Sequence, residues 1–101
     1  MILYINTKDQ KSIEVKLKKD AKIIDQLSDQ NEWGSQVLLP LIQKLLKKNS
    51  LEFKDLKAIE VETGPGSFTG LKVGVAVANA LAFSLKIPVN NKEIETDLIY
   101  T

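Results

Sequence analysis

Apolar and polar residues alternate along the first part of the chain, with the spacing of β-strands. Residues 1–6 form a short apolar run rich in β-formers, which predicts a buried strand. Residues 11–18 alternate strictly, which predicts a strand with one buried and one wet face. A tight turn at residues 19–20 leads into residues 21–28, so we expect three consecutive antiparallel strands.

The spacing then becomes helical. Residues 35–48 place apolar side chains three and four positions apart, which predicts an amphipathic helix. Pro40 fits this helix if it begins near Ser35, and otherwise indicates a kink. Residues 52–57 predict one short helical turn, and residues 58–62 alternate again and predict a further strand.

A glycine-rich turn at residues 64–66 introduces the most apolar segment. Ser67 is a good N-cap, and residues 67–86 predict a helix of about five turns. Such a helix, apolar nearly all round, is normally buried on more than one side. Small residues recur at every fourth position along one edge, namely Gly66, Gly70, Gly74, Ala78 and Ala82. Because small residues let another backbone approach closely, we expect the helix to contact its own sheet and a second surface.

The predicted order of elements is βββ-α-β-α-β, with residues 87–89 as the last strand. Residues 90–101 are ambiguous between a loop and one more short strand near residues 98–100. Right-handed crossovers that move in one direction place both helices on the same face of a sheet. We therefore predict a two-layer α/β fold with a five-stranded mixed sheet, two helices on one face and a polar opposite face.

Composition excludes several classes of function. The 101 residues suffice for one domain. With 14 basic and 13 acidic residues the chain is nearly neutral, which argues against a protein that binds nucleic acid by electrostatic attraction alone. Without cysteine or histidine there is no thiol nucleophile, zinc-thiolate site or imidazole base. We read no signal peptide and no apolar run approaching 18 residues, so we expect a cytoplasmic protein without membrane contact.

Two acidic residues are the first candidates for chemistry. Glu60 and Glu62 lie on the same side of one predicted strand, about 7 Å apart by strand rise. Paired carboxylates can hold magnesium or act as acid and base. The favoured alternative is a solvated sheet face on which they oppose Lys16 or Lys18.

The glycine turn is the second candidate, because it places backbone amides at a helix N-terminus as phosphate loops do. Its G-x-G-x-x-x-G spacing matches neither common phosphate-binding pattern, so a turn followed by a helix cap is favoured. Ser67 and Thr69 have no histidine to activate them. Scattered lysines leave an RNA-contact patch as a weaker alternative, and Trp33 is expected at the edge of the core or of an interface.

The segment from Gly64 to Gly74, GPGSFTGLKVG, resembles the hallmark segment of the bacterial TsaB (YeaZ) family, in which a basic residue stands where this chain has Lys72. Residues 35–42 and the end of the first strand, Ile5-Asn6-Thr7, resemble the same family. The resemblance covers roughly residues 1–89. It implies an RNase H-like lobe of the actin-like ATPase superfamily.

This sequence also departs from the family pattern. Asn6 replaces the usual aspartate, Gly34 the usual histidine and Gln36 the usual glutamate. We expect residues 1–101 to form a single N-terminal lobe without the C-terminal lobe. A nucleotide cleft between two lobes could then not form within one chain, so no cofactor is expected.

The resemblance implies a non-catalytic subunit of the machinery that makes threonylcarbamoyladenosine in tRNA. It implies a TsaD-like catalytic partner, a TsaE-like ATPase as a possible further partner, indirect contact with tRNA, and a homodimer when the chain is alone. The contacts would come from helices 35–48 and 67–86, through Leu38, Leu41, Ile42, Leu45, Phe68, Gly70, Leu71, Gly74, Val75 and Ala78. Two alternatives stay open: a homodimeric one-lobe relic, and a nucleotide- or metal-dependent RNase H-like enzyme fragment that uses Glu60 and Glu62.

Overall fold

The computed structural model describes residues 1–9, 11–30 and 34–99, in which four strands and two helices form a mixed α/β fold. The elements are β1 (Ile2–Asn6), β2 (Ser12–Lys19), β3 (Lys22–Gln30), α1 (Gly34–Lys48), a 3₁₀ turn (Phe53–Asp55), β4 (Ala58–Val61) and α2 (Phe68–Leu85). Trp33, Tyr100 and the predictions made for them lie outside the described residues.

The sheet has the strand order β3-β2-β1-β4. The antiparallel pairs β1–β2 and β2–β3 confirm the predicted meander, and β4 joins β1 in parallel. Asp20 and Ala21, both with positive φ, make the two-residue turn between β2 and β3. This turn conformation matches the right-handed twist of the strands that it joins.

Both helices cover one face of the sheet. Helix α1 contacts β2 and β3, α2 contacts β4 and β1, and the two helices contact each other. Alternate strand residues such as Leu3, Val15 and Ile59 are buried in a single core with both helices. The residues between them, among them Tyr4 and Lys18, form the polar opposite face, called the open face below. The predicted two layers are present.

The predicted fifth strand is not formed by the described residues. Val89 makes isolated bridges, parallel to Ile59 and antiparallel to Lys92, and Asn90 and Asn91 reverse the chain between Val89 and Lys92 with positive φ. Pro88 has no backbone N–H to add to a ladder. Residues 98–99 form no strand either. The sheet is therefore four-stranded, and the RNase H-like assignment stays a prediction.

The helix ends follow local chemistry. Helix α1 begins at Gly34, so Pro40 lies in its second turn, where it is exposed. Helix α2 is capped by Ser67, whose hydroxyl accepts a hydrogen bond from the amide of Gly70 at 3.2 Å. It ends at Lys86 in the left-handed conformation, with φ 58°.

Candidate interaction surface on the helix layer

The glycine row of α2 faces this chain's own sheet. The hydroxyl of Thr7, at the end of β1, donates a hydrogen bond to the carbonyl oxygen of Gly70 at 2.5 Å. A Cβ atom at Gly70 would meet the carbonyl oxygen of Thr7, and one at Gly74 would meet its hydroxyl oxygen. The close approach that the glycine spacing predicts is therefore made, and its partner is Thr7.

Most of the residues predicted to contact a partner are used inside the fold. Eight of the ten are buried, and only Phe68, at 51% exposure, is substantially open. A buried side chain offers no surface to another protein. Their role in partner binding stays a prediction. The eight are Leu38, Leu41, Ile42, Leu45, Leu71, Gly74, Val75 and Ala78.

The side of α2 opposite the sheet is exposed and largely apolar. Ala76 and Ala80 are exposed, Val73 and Val77 are half-buried beside them, and Phe83 is 86% exposed. We call these five residues the α2 outer face. An exposed contiguous apolar surface of this kind is typical of an interaction site.

The expectation that no apolar stretch approaches 18 residues does not hold for helix α2, in which Lys72 is the one charged residue. Its 18 residues have a mean hydropathy of 1.5, so by length and composition it could cross a membrane. Core helices of soluble proteins pass the same test. Only 28% of these residues are buried in the fold, which leaves the α2 outer face uncovered.

Helix α1 adds a more polar surface beside this face. Its exposed residues include Leu39, Pro40 and Gln43, followed by Lys44 and Lys47. The outward side of the two helices together, which we call the helix layer, is thus apolar on α2 and mixed on α1. The residues of α1 that face inward form the core.

On the open face of the sheet, the two candidate carboxylates bind different partners. Glu60 accepts a 2.7 Å bond from the ammonium of Lys18, as the solvated-face interpretation predicts. Glu62 accepts hydrogen bonds from the Tyr4 hydroxyl at 3.2 Å and the Gly64 amide at 3.3 Å. Burial and the charge of Glu62 raise the pKa of Tyr4 to about 12. Within the described ranges no three acidic residues group into a possible metal site.

Amides of the glycine turn are used within the fold. The amide of Ser67 donates to the carbonyl oxygen of Lys8 at 2.9 Å, while those of Gly64 and Gly70 bind the side chains of Glu62 and Ser67. A turn with a helix cap, the favoured interpretation, describes this segment better than a phosphate loop, whose amides must point at the ligand.

Residues 90–99 form a network that sequence reasoning missed. Asn79 of α2 exchanges two hydrogen bonds with the backbone of Glu95, of 2.8 and 2.9 Å. Asn90 bonds both the backbone of Val61 and the carboxylate of Glu95. The one available signal was Asn79, a lone amide in a helix of apolar and small residues.

Glu95 is only 3% exposed. Its carboxylate accepts hydrogen bonds from the Asn90 side chain, the Lys92 ammonium and the Asp97 amide. Burial raises its pKa, but hydrogen bonds from Asn90, from the Asp97 amide and from Lys92 outweigh burial and hold the pKa below its usual value. The Glu95 carboxylate, as an anion, therefore holds residues 90–97 together, while the Glu95 backbone joins this segment to Asn79 of α2.

The described residues form at least two open surface grooves. One, of about 720 Å³, lies at the end of α2 and is lined by Phe83, Ile87 and Lys92 among others. The other, of about 640 Å³, lies where β1 ends and is polar, with Asn6 and Asp29 in its wall.

Comparison with known proteins agrees with the resemblance. The model of the family "TsaD: tRNA N6-adenosine threonylcarbamoyltransferase" matches residues 33–91. The chain is 36% identical over 91 residues to the tRNA threonylcarbamoyladenosine biosynthesis protein TsaB of Buchnera aphidicola from Schizaphis graminum, covering 88% of this chain and 42% of that protein. It is 34% identical to TsaB of Bacillus subtilis, covering 88% of this chain and 39% of that protein.

The fold has a solved counterpart. YeaZ from Pseudomonas aeruginosa superimposes with a TM-score of 0.79 at 28% identity, over 87% of this chain and 42% of that one. The chain thus spans about two fifths of the length of the relatives it matches. The family model matches more than half of the chain, so the chain belongs to the TsaD family. Its similarity to TsaB proteins and to YeaZ places it with the TsaB (YeaZ) proteins.

Proposed function

We propose that the chain is a non-catalytic subunit in the formation of threonylcarbamoyladenosine in tRNA, and that it binds a TsaD-type protein through its helix layer. The likeness to TsaB proteins supports the pathway, and the match to the TsaD family model supports a partner of related fold. A TsaE-like ATPase as a further partner, indirect contact with tRNA and a cytoplasmic location belong to the same proposal.

The α2 outer face is the observation that carries this proposal. Phe83 is 86% exposed and Ala76 and Ala80 present small side chains between it and Val73. A helix whose outer residues are small and apolar lets a partner helix pack close, with little side-chain entropy lost. The two candidate carboxylates, in contrast, are engaged by Lys18, Tyr4 and Gly64, so the enzyme alternative has no comparable support.

The proposal is tested by titrating the purified chain with the TsaD-type protein of the same genome, using calorimetry and light scattering. We expect a stoichiometric complex. Ala80→Asp should weaken it about a hundredfold or more, because the partner would bury an unpaired carboxylate.

Gln26→Asp is the matched control. Gln26 is exposed and pairs in register with Lys16, on the open face of the sheet. This variant should bind as the unsubstituted chain does. Thermal melts of both variants verify the fold. Absence of any complex, or equal binding by Ala80→Asp, would overturn the proposal.

The substitution Gly74→Leu, which the small-residue spacing suggests at first, is not a clean test. Gly74 is buried against Thr7, so a leucine there disrupts the chain's own packing. Exposed positions such as Ala80 separate binding from folding.

A further inference from the structure

The two edges of the sheet differ in how their backbone groups are used. On β4 the amide of Ile59 donates to the carbonyl oxygen of Pro88 at 2.9 Å, and the carbonyl oxygen of Ile59 accepts from the amide of Asn90 at 2.8 Å. The other edge is β3, a strand of nine residues. Within the part of the chain that the structure describes, no other backbone segment bonds its outer side. The β3 edge is therefore open to a further strand.

The outward backbone groups of this edge follow a simple alternation. In an antiparallel ladder, successive residues direct their amide and carbonyl groups first to one side of the strand and then to the other. The amide of Gln26 donates to the carboxylate of its neighbour Asp25 at 2.8 Å, which identifies the outward phase. Ser28 and Gln30 follow at the same phase. Their amides and carbonyl oxygens are the groups to which an added strand would bond.

The side chains that flank these groups on the helix side are two carboxylates with a leucine between them. Asp25, Leu27 and Asp29 pair in register with three buried residues of β2, so they lie on the sheet face that the helices cover. The ammonium of Lys48, 3.3 Å away, partly compensates the charge of Asp25. Asp29 is exposed and makes no ion pair within the described ranges. The edge thus carries an uncompensated negative charge beside an apolar side chain.

This arrangement disfavours pairing with a second copy of the chain. A two-fold pair of β3 strands centred on Leu27 sets Asp25 of each copy opposite Asp29 of the other. A shift of the centre by one residue in either direction sets Leu27 opposite a carboxylate. Like charges directly opposite each other are destabilising. Ile24 has no partner on β2, and the bulge that it forms opposes shifts towards the start of the strand.

We propose that the β3 edge binds an extended segment of another protein as an added strand, in which an apolar residue lies between two basic residues. The apolar residue lies opposite Leu27, and the basic residues lie opposite Asp29 and Asp25. Backbone bonds to Ser28 and Gln30 supply affinity, and the carboxylates supply selectivity. The inference is independent of the proposed function, because β3 and α2 lie at opposite sides of the sheet.

The test is an NMR titration of the full chain with three synthetic peptides. TKTVTKT carries the proposed pattern and reads the same in both directions. TETVTET reverses its charges, and TKPVPKT keeps the charges but removes two central N–H groups that pairing requires. We expect TKTVTKT alone to shift the amide signals of β3 and to slow hydrogen exchange at Ser28 and Gln30. Its affinity should lie in the millimolar range, because a short free peptide loses conformational freedom on binding.

Three variants of the chain complete the test, each with a thermal melt to verify the fold. Asp29→Lys should weaken the binding of TKTVTKT about threefold or more and should strengthen that of TETVTET. Glu93→Lys is exposed and lies outside the four strands, and it changes the net charge equally. It should bind TKTVTKT as the unsubstituted chain does. Ala80→Asp should do the same, which separates the β3 edge from the helix layer.

Four outcomes would overturn the inference and leave the proposed function intact. The first is the absence of β3 shifts at millimolar TKTVTKT. The second is an equal response to TKPVPKT or TETVTET, and the third is unchanged binding by Asp29→Lys. The fourth is a shift of the β3 signals as the chain alone is concentrated, because the edge would then take a second copy.

Discussion

The side-chain amide of Asn90 pairs with the backbone of Val61 as a neighbouring strand would. Its Oδ1 accepts a hydrogen bond from the Val61 amide at 2.8 Å, and its Nδ2 donates to the Val61 carbonyl at 3.0 Å. One side chain thus continues the outer edge of β4 where the backbone has turned away. The edge is protected without a fifth strand.

Removing this amide should destabilise the fold. Asn90→Ala leaves both polar groups of Val61 without their partner and removes a donor from Glu95, so we expect the free energy of unfolding to fall by about 1–3 kcal/mol. Urea denaturation of the variant and of the unsubstituted chain measures this change in the free energy of unfolding. Asn91→Ala is the control: it shares the positive φ of Asn90 but is exposed. An equal loss in both variants would show that backbone conformation, not the amide pairing, matters.

Glu95 should make stability depend on pH in the acid range. Its pKa is lowered in the folded state, so its contribution is fully present above its ordinary value of 4.5 and is lost as pH falls through the folded value. Unfolding free energies measured down this range should decline more steeply for the unsubstituted chain than for Glu95→Gln. Parallel declines would contradict the structure's assignment of an ionised Glu95.

Helix α2 lies so close to the end of β1 that a methyl group added at Gly70 should destabilise the fold. In an exposed helix, glycine-to-alanine substitution stabilises by about 1 kcal/mol. At Gly70 the new Cβ would meet the carbonyl oxygen of Thr7, so we expect Gly70→Ala to destabilise by about 1–3 kcal/mol instead. Ala80→Gly, at an exposed position of the same helix, should lose only the propensity difference. A stabilised Gly70→Ala would mean that the two elements are farther apart.

The hydroxyl of Tyr4 reports on the open face. With a pKa of about 12, it should ionise well above an ordinary tyrosine, and Glu62→Gln should move the transition down because a charged acceptor is removed. Ultraviolet absorbance during an alkaline titration follows this, in a Tyr100→Phe background that leaves a single tyrosine. An unchanged transition in Glu62→Gln would show that Glu62 does not bind Tyr4.

Much of the fold follows from residue patterns. The strict alternation of β2 and the helical spacing of α1 place apolar residues on faces that must meet, so these elements and the two-layer arrangement were predictable. The glycine turn and the resemblance that it carries identified the family. These are local signals whose physical cause lies within a few residues.

The parts of the fold and of the site that could not be predicted depend on contacts between residues far apart in the sequence. Helical spacing of Gly70 and Gly74 predicts a close approach but cannot say to what, and the structure shows Thr7. The pairing of Asn90 with Val61, 29 positions away, has no periodic pattern. Apolar character is common to core and interface residues. The sequence alone therefore could not separate the two, and most of the predicted partner contacts are residues that face inward.

The central claim, that the α2 outer face binds a TsaD-type protein, can be tested most directly by thiol labelling, because the chain has no cysteine of its own. Ala80→Cys and Gln26→Cys each place one thiol at an exposed position, on the helix layer and on the open face. A stoichiometric amount of the TsaD-type protein should slow labelling at position 80 about tenfold or more and leave position 26 unchanged. Equal labelling rates at position 80 with and without the bound partner would contradict the claim.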